Sequence, residues 1–243
     1  MLLINGVTGS LGEATLKLAL EKGLNTVGVG RNASKLAEMT KMYSEASFIQ
    51  VVDISSEIES KLLLEQIESL TNDKIDTYLH AAATLNRTKT PLETSKENFE
   101  ETLTVNLTGA FVWNKNVMGK MIENKVHGSI LNVASQAART GGFGGTTSYA
   151  ASKGGLVSLS KSFARFGALH KIRVNSISPG FLDNPMMLRG LTADQIAEFT
   201  QKTAMKRLAT NSEIAEVCLF LLGTGASYIT GENIEASAGQ VLG

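Results

Sequence analysis

The apolar run Leu2-Leu3-Ile4 passes without a spacer into Asn5-Gly6-Val7-Thr8-Gly9-Ser10-Leu11-Gly12, and from Glu13 to Lys22 the side chains of Ala14, Leu18 and Ala19 recur at helical spacing. A buried strand, a glycine-rich turn and a helix in immediate succession open a βα unit, and the same punctuation returns along the chain. Residues 26–29 form a second apolar run, followed by a helix from about Ser34, and residues 48–52 form a third that closes at Asp53. Residues 77–79, 129–133 and 173–177 are three further strand candidates, with helix-length segments between them. Strands that alternate with helices in this way predict an α/β fold of the Rossmann type, a doubly wound parallel sheet with helices on both faces. No composition shift, linker or internal repeat divides the chain, so residues 1–243 are expected to form a single domain. Residues 182–208 differ in character. They follow Pro179-Gly180 and scatter Met186, Met187, Leu188, Leu191, Phe199 and Met205 among polar residues, which suits a cover over a substrate cleft and equally suits a pair of surface helices.

Composition removes several classes of function. Lys plus Arg and Asp plus Glu are equal at 23 each, so no overall field draws the chain to nucleic acid or an anionic membrane. The only cysteine, Cys218, lies in the apolar run Val217-Cys218-Leu219-Phe220-Leu221-Leu222, which reads as a buried inert thiol and excludes an intrachain disulfide. His80, His127 and His170 lack ligand spacing, so no metal site is expected. The N-terminus has no signal-peptide pattern and no stretch approaches ~18 apolar residues, which points to a cytoplasmic protein.

Three stretches carry chemistry. The first turn offers unpaired N–H groups and the positive end of a helix to a pyrophosphate, through Gly6, Thr8, Gly9, Ser10, Leu11 and Gly12. After the second strand comes Gly30-Arg31-Asn32, where a dinucleotide fold meets the adenosine ribose. An acidic side chain there would accept from a free 2′-hydroxyl, whereas arginine suits a 2′-phosphate; no carboxylate occurs from Thr26 to Lys35, so NADPH is favoured over NADH. Arg31 as a plain surface residue is the alternative. Asp53 could accept from the adenine amino group or close a turn. In Ser148-Tyr149-Ala150-Ala151-Ser152-Lys153, a phenol and an ammonium stand four residues apart on one helix face. A positive charge so placed would lower the phenol from its ordinary value near ~10 and fit it for acid or base work. The pair also reads as a packed ring beside a solvated amine.

Taken together, the glycine turn, Asp53, the Tyr149-x-x-x-Lys153 pair, the Ser176-Ile177-Ser178-Pro179-Gly180 turn and the tail Ala226-Ser227-Tyr228-Ile229-Thr230-Gly231 resemble the short-chain dehydrogenase/reductase family over essentially the whole chain. The layout is similar to the classical members, 3-oxoacyl-carrier-protein reductases in particular. The resemblance implies that Asn106 holds a water in a proton relay, that Ser135 hydrogen-bonds the substrate oxygen, that Tyr149 is the general acid, and that Lys153 lowers the Tyr149 pKa and binds the nicotinamide ribose. It further implies cofactor contacts at Ile54, Ala81, Ala82, Pro179, Gly180 and Leu182. The reaction implied is hydride transfer from NADPH to a ketone, a 3-oxoacyl thioester or similar carbonyl, by a homotetramer or homodimer. Acyl-carrier protein is a partner on this reading, and Arg139, Arg189, Lys202, Lys206 and Arg207 are candidates for a basic patch that would receive it. An alcohol or sugar-alcohol dehydrogenase, and a non-catalytic dinucleotide-binding regulatory subunit, are the alternatives. The chain departs from the family pattern at Asn5, at Ser10, in His80-Ala81-Ala82-Ala83 after the fourth strand, and in Ala236-Ser237-Ala238-Gly239, which lacks an acidic residue. Read as Gly6-x-x-Gly9-x-x-Gly12, the turn has the spacing of the family's extended branch.

Overall fold

A computed structural model of the chain describes residues 1–143 and 145–240. Its centre is a seven-stranded sheet in the order β3-β2-β1-β4-β5-β6-β7, every neighbouring pair parallel. The strands are β1 (Leu2–Asn5), β2 (Thr26–Gly30), β3 (Ser47–Gln50), β4 (Thr77–His80), β5 (Ser129–Val133), β6 (Arg173–Pro179) and β7 (Asn233–Ala236). Six of them fall on the six strand candidates of the sequence. The third is shorter than expected, because pairing with β2 ends at Gln50; Val51 stays buried but Val52 turns out to solvent at 76% exposure. The seventh strand was not expected from the sequence, since Asn-Ile-Glu-Ala has neither a continuous apolar run nor a fully buried face.

Alternate residues of each strand feed opposite layers, as the period of two requires. Leu3, Val27, Ile49, Tyr78, Ile130 and Val174 pack against α3 (Glu57–Thr71), α5 (Gly109–Glu123) and α7 (Thr147–Ala168). Leu2, Ile4, Leu79, Leu131 and Ile177 pack on the other side against α1 (Ser10–Glu21), α2 (Ala33–Met42) and α10 (Asn211–Leu222). Cys218 lies in this second layer, where burial pushes its thiol up to about 12 and leaves it inert. The remaining helices are α4 (Lys96–Leu103), α6 (Ala137–Thr140), α8 (Pro185–Leu188) and α9 (Ala193–Gln201). Among the described residues no helix is long and apolar enough to cross a membrane, and no group of three or more His, Cys, Asp or Glu could hold a metal ion.

Strand order reverses between β1 and β4, so the loops leaving their carboxyl ends diverge to opposite sides and open a crevice there. Two close approaches set its floor. Gly6 has φ +87°, and a Cβ on it would stand 2.4 Å from the Ala82 nitrogen, so the turn after β1 lies directly on the loop after β4. A Cβ on Gly12 would stand 2.3 Å from the Gly6 carbonyl oxygen, which brings the start of α1 down onto the same turn.

Candidate active site

At the start of α1 the N-cap Gly9 has no side chain to cap the helix. The amides of Ser10, Leu11 and Gly12 find no backbone acceptor among the described residues; the first closed bond runs from the Glu13 N–H to the Gly9 carbonyl at 2.8 Å. Three free donors at the positive end of a 12-residue helix suit a pyrophosphate. A Cβ on Gly9 would meet only the Gly6 oxygen, at 3.3 Å, and would otherwise project into open space, so this glycine keeps room clear above the turn. These features fit a dinucleotide.

The crevice continues from the turn in two directions. Toward one side Gly6, Thr8, Arg31, Asn32, Ile54 and Ala82 line a cleft. Arg31 is exposed there and enters no salt bridge among the described residues. Asn32 spends its side-chain oxygen as the N-cap of α2, accepting from the Lys35 N–H at 3.0 Å. Asp53 does not line this cleft: its Oδ1 accepts from the Ser55 N–H at 2.8 Å and the Ser55 hydroxyl at 2.7 Å, bonds that hold its carboxyl below the usual range. Toward the other side, Ser10, Leu11, Pro179, Gly180 and Leu182 surround a cavity, and Ala81 borders both.

Ser135, Tyr149 and Lys153 meet in that second cavity. Ser135 lies just beyond the end of β5, with its hydroxyl oxygen accepting from the Ala137 N–H at 3.1 Å. Tyr149 is in the first turn of α7 and Lys153 one turn further on. Lys153 is buried to 1% exposure; its Nζ donates to the Val133 carbonyl at 2.7 Å and stands 5.6 Å from the Tyr149 ring centre. Burial pushes the Lys153 amine down to about 7, and burial likewise raises the Tyr149 phenol, against the opposing pull of the Ser135 hydroxyl. The expected lowering of Tyr149 by a fixed charge is therefore not met in the protein alone. The physical reason is that desolvation acts on both partners and disfavours the ammonium as well as the phenolate.

Asn106 is fully buried in a π-helical turn (Thr104–Thr108) that joins α4 to α5. Its side chain is saturated by neighbours: Oδ1 accepts from the Thr84 N–H at 2.7 Å, and Nδ2 donates to the Thr84 carbonyl at 2.9 Å and to the Ser152 hydroxyl oxygen at 3.0 Å. Ser152 in turn donates to the Tyr149 carbonyl at 2.7 Å. Asn106 thus ties the loop after β4 to the turn of α7 that carries Tyr149.

Ser135 and Tyr149 also face an adjoining cavity of about 330 Å³. Its wall carries Phe143, Phe181 and Phe199, whose ring centres lie 4.5–5.8 Å apart. Met187, Leu191 and Phe199 come from residues 182–208, so this segment forms part of the cavity wall through α8 and α9. Nothing in the spacing of the three phenylalanines along the chain predicts their cluster. Of the basic residues singled out in the sequence, Arg207 is paired with Glu213 and Lys202 with Glu198, each at 2.6 Å, and Lys206 donates to the Gln201 carbonyl. Arg189 instead reaches the loop after β4, beside Arg87, which the sequence reading missed.

A family model described as enoyl-(acyl carrier protein) reductase matches residues 6–240. The 3-oxoacyl-[acyl-carrier-protein] reductase FabG of Escherichia coli is 30% identical over 243 residues, covering 99% of this chain and 96% of its own. That of Rickettsia conorii is 28% identical over 240 residues with the same coverage, 99% and 96%. The human (3R)-3-hydroxyacyl-CoA dehydrogenase is 29% identical over 190 residues, 78% of this chain and 72% of its own. Among solved structures, the crystal structure of gox2181 superposes with a TM-score of 0.91 at 20% identity, covering 98% of this chain and 94% of that one, a likeness of fold. With the sheet order, the free helix N-terminus and the Ser135, Tyr149 and Lys153 cluster, these matches establish that the chain belongs to the short-chain dehydrogenase/reductase family and is an oxidoreductase of the nicotinamide-dinucleotide type.

Proposed function

We propose that the protein is an NADPH-dependent reductase that converts a ketone, a 3-oxoacyl thioester or a similar carbonyl, to a secondary alcohol. The observation that carries the reading is the convergence of Ser135, Tyr149 and Lys153 on one cavity bordered by the free amides of α1. A bound dihydronicotinamide supplies the hydride. Ser10, Leu11 and Gly12 hold the pyrophosphate through their amides, and Arg31 meets a 2′-phosphate on the ribose. Ile54 meets the adenine end while Asp53 closes the turn beside it, and Pro179, Gly180 and Leu182 border the nicotinamide.

Ser135 donates to the carbonyl oxygen and stabilises the charge that develops on it. Tyr149 delivers the proton to that oxygen. Lys153 binds the nicotinamide ribose and exchanges protons near neutral pH, a task suited to an amine pushed down to about 7. Asn106 holds the turn of α7 that carries Tyr149 against the loop after β4 through its bonds to Thr84 and Ser152. The apolar wall of Phe143, Phe181 and Phe199 accepts the hydrocarbon part of the substrate, with residues 182–208 as its cover. The names of the relatives, two 3-oxoacyl-[acyl-carrier-protein] reductases and a (3R)-3-hydroxyacyl-CoA dehydrogenase, support a thioester. Half-exposed Phe111 and Phe166 on α5 and α7, and exposed Leu169 just beyond α7, support self-association into a homodimer or homotetramer, which light scattering would measure.

The test is turnover of an acetoacetyl thioester with NADPH and with NADH, beside Tyr149→Phe. We expect NADPH-dependent reduction that falls by about 10²–10⁴ in the variant while nucleotide binding persists. Nucleotide binding without turnover across a panel of ketones and alcohols would favour the regulatory reading instead. Oxidation of alcohols with no ketone reduction would favour the dehydrogenase.

A further inference from the structure

Arg87 borders the 330 Å³ catalytic cavity and, together with Arg189, a second opening that adjoins it on the outside, and neither arginine is paired with a carboxylate among the described residues. Arg87 lies in the loop after β4 and its Nη2 donates to the Met187 carbonyl at 3.4 Å. Arg189 follows α8 and its Nη2 donates back to the Leu85 carbonyl at 3.3 Å. Both bonds are long, and each leaves most of a five-donor guanidinium unused. The Nε and Nη1 atoms of Arg87 are buried and have no hydrogen-bond partner among the described residues. Neither arginine enters a salt bridge among the described residues. Lys89 and Glu93 border the same outer opening. The Glu93 carboxylate accepts from the Lys89 backbone N–H at 3.0 Å and is exposed, so it does not neutralise the pair.

Burying guanidinium donors without acceptors beside a second positive charge is unfavourable, and an anion seated between them would remove both penalties at once. Burial first, and the Arg189 charge second, hold the Arg87 guanidinium below its ordinary range, in the direction such a frustrated pair requires. Arg87 borders the same cavity as Ser135 and Tyr149, with Met187, Leu191 and Phe199 on its wall, so a ligand spanning it has a carbonyl at one end and an apolar middle.

We propose that Arg87 and Arg189 form an anion subsite at the outer opening beside the catalytic cavity, which selects ketones carrying a carboxylate or phosphate group remote from the carbonyl carbon. The inference rests on the reductase reading and deepens it. A guanidinium fork takes either group in a bidentate manner. The two sources are a carboxylate at the far end of the acyl chain and a phosphate on the carrier of a thioester.

Two matched pairs of substrates separate them. Monoethyl 3-oxoadipate and ethyl 3-oxohexanoate differ by a terminal carboxylate; acetoacetyl-CoA and the acetoacetyl thioester of N-acetylcysteamine differ by the phosphate-bearing carrier. We expect kcat/KM to favour the charged member of at least one pair, and that preference ratio to fall about 10- to 100-fold in Arg87→Gln and in Arg189→Gln, with partial recovery in Arg87→Lys. A preference in the first pair identifies the carboxylate, and one in the second the phosphate. No preference in either pair overturns the proposal. So does an equal loss for charged and neutral members in both glutamine variants, which would mark the arginines as a structural latch between two loops. Arg189→Gln stands as the readout if Arg87→Gln does not fold. If the wild-type protein reduces none of the four ketones, the reductase reading falls by itself. Calorimetric titration with monoethyl 3-oxoadipate, ethyl 3-oxohexanoate and both thioesters then decides the subsite: tighter binding of a charged member, lost in Arg189→Gln, sustains it, and equal binding within both pairs sinks it.

Discussion

Gly9 and Gly12 belong to one turn yet differ in what surrounds them. A methyl group on Gly12 would stand 2.3 Å from a backbone oxygen, so Gly12→Ala forces α1 away from the turn and should cost about 1–3 kcal/mol in urea denaturation. Gly9 has φ −84° and ψ 156°, which alanine adopts freely, and its Cβ would point into the crevice. Gly9→Ala should therefore keep the fold within about 1 kcal/mol while weakening nucleotide affinity at least ~10-fold by fluorescence titration, through lost approach to the helix amides. Equal stability losses in the two variants would remove the distinction. Arg31 yields a prediction of a different kind. Because it stands free beside the cleft, Arg31→Ala should lower the NADPH-to-NADH ratio of kcat/KM by about 10- to 100-fold. An unchanged ratio would return Arg31 to the ordinary surface. The cluster of Ser135, Tyr149 and Lys153 was legible in the sequence because motif wording carries it. Arg87 was not, since an arginine in a polar loop acquires meaning only from the loop that folds against it.

Asn106 connects elements far apart in sequence. Three hydrogen bonds, the one to Ser152 fully buried and the two to Thr84 partly so, join it to the loop after β4 and to α7, and its removal takes these partners from the Thr84 N–H and carbonyl. Asn106→Ala should lower stability by about 2–4 kcal/mol in urea denaturation and reduce kcat as Tyr149 loses its support. Full stability with a reduced kcat would instead assign Asn106 to proton relay alone. Apolar periodicity has no access to such a tie, nor to the π turn around it, because both depend on which segments the sheet brings together. The same limit explains the strands. β5 and β6 were readable because β-branched and aliphatic residues, Ile130, Leu131 and Val133 in the one and Val174 and Ile177 in the other, recur between helix-length segments. β7, half-buried and carrying Glu235, takes its strand conformation from pairing with Ser176–Pro179 more than from its own residues. In the same way, residues 182–208 announced their apolar character but not which side chains would meet Phe143.

Over the whole molecule, stability responds to pH through two bases buried where the strands converge on the site. His80 bonds the Tyr78 hydroxyl through Nδ1 at 2.7 Å, its Nε2 has no partner among the described residues, and burial, then the nearby Lys153 charge, pushes it down to about 3. Unfolded, it binds a proton near 6.5, so as pH falls from 6.5 toward 3 the unfolded chain takes up a proton that the folded one refuses. Lys153 acts in the same sense at higher pH: protonated near 10.5 when exposed and held at about 7 when folded, it makes stability fall as pH drops from 10.5 to 7 and adds no further slope below that. Stability should consequently climb with pH in two separate windows despite a balanced formal charge. Urea denaturation across pH 4 to 10 should show His80→Asn flattening the acid window and Lys153→Met flattening the alkaline one, each by on the order of a few kcal/mol. A slope that survives in Lys153→Met would place its origin in other groups and remove the basis for a lysine that exchanges protons near neutrality, which the reductase mechanism uses.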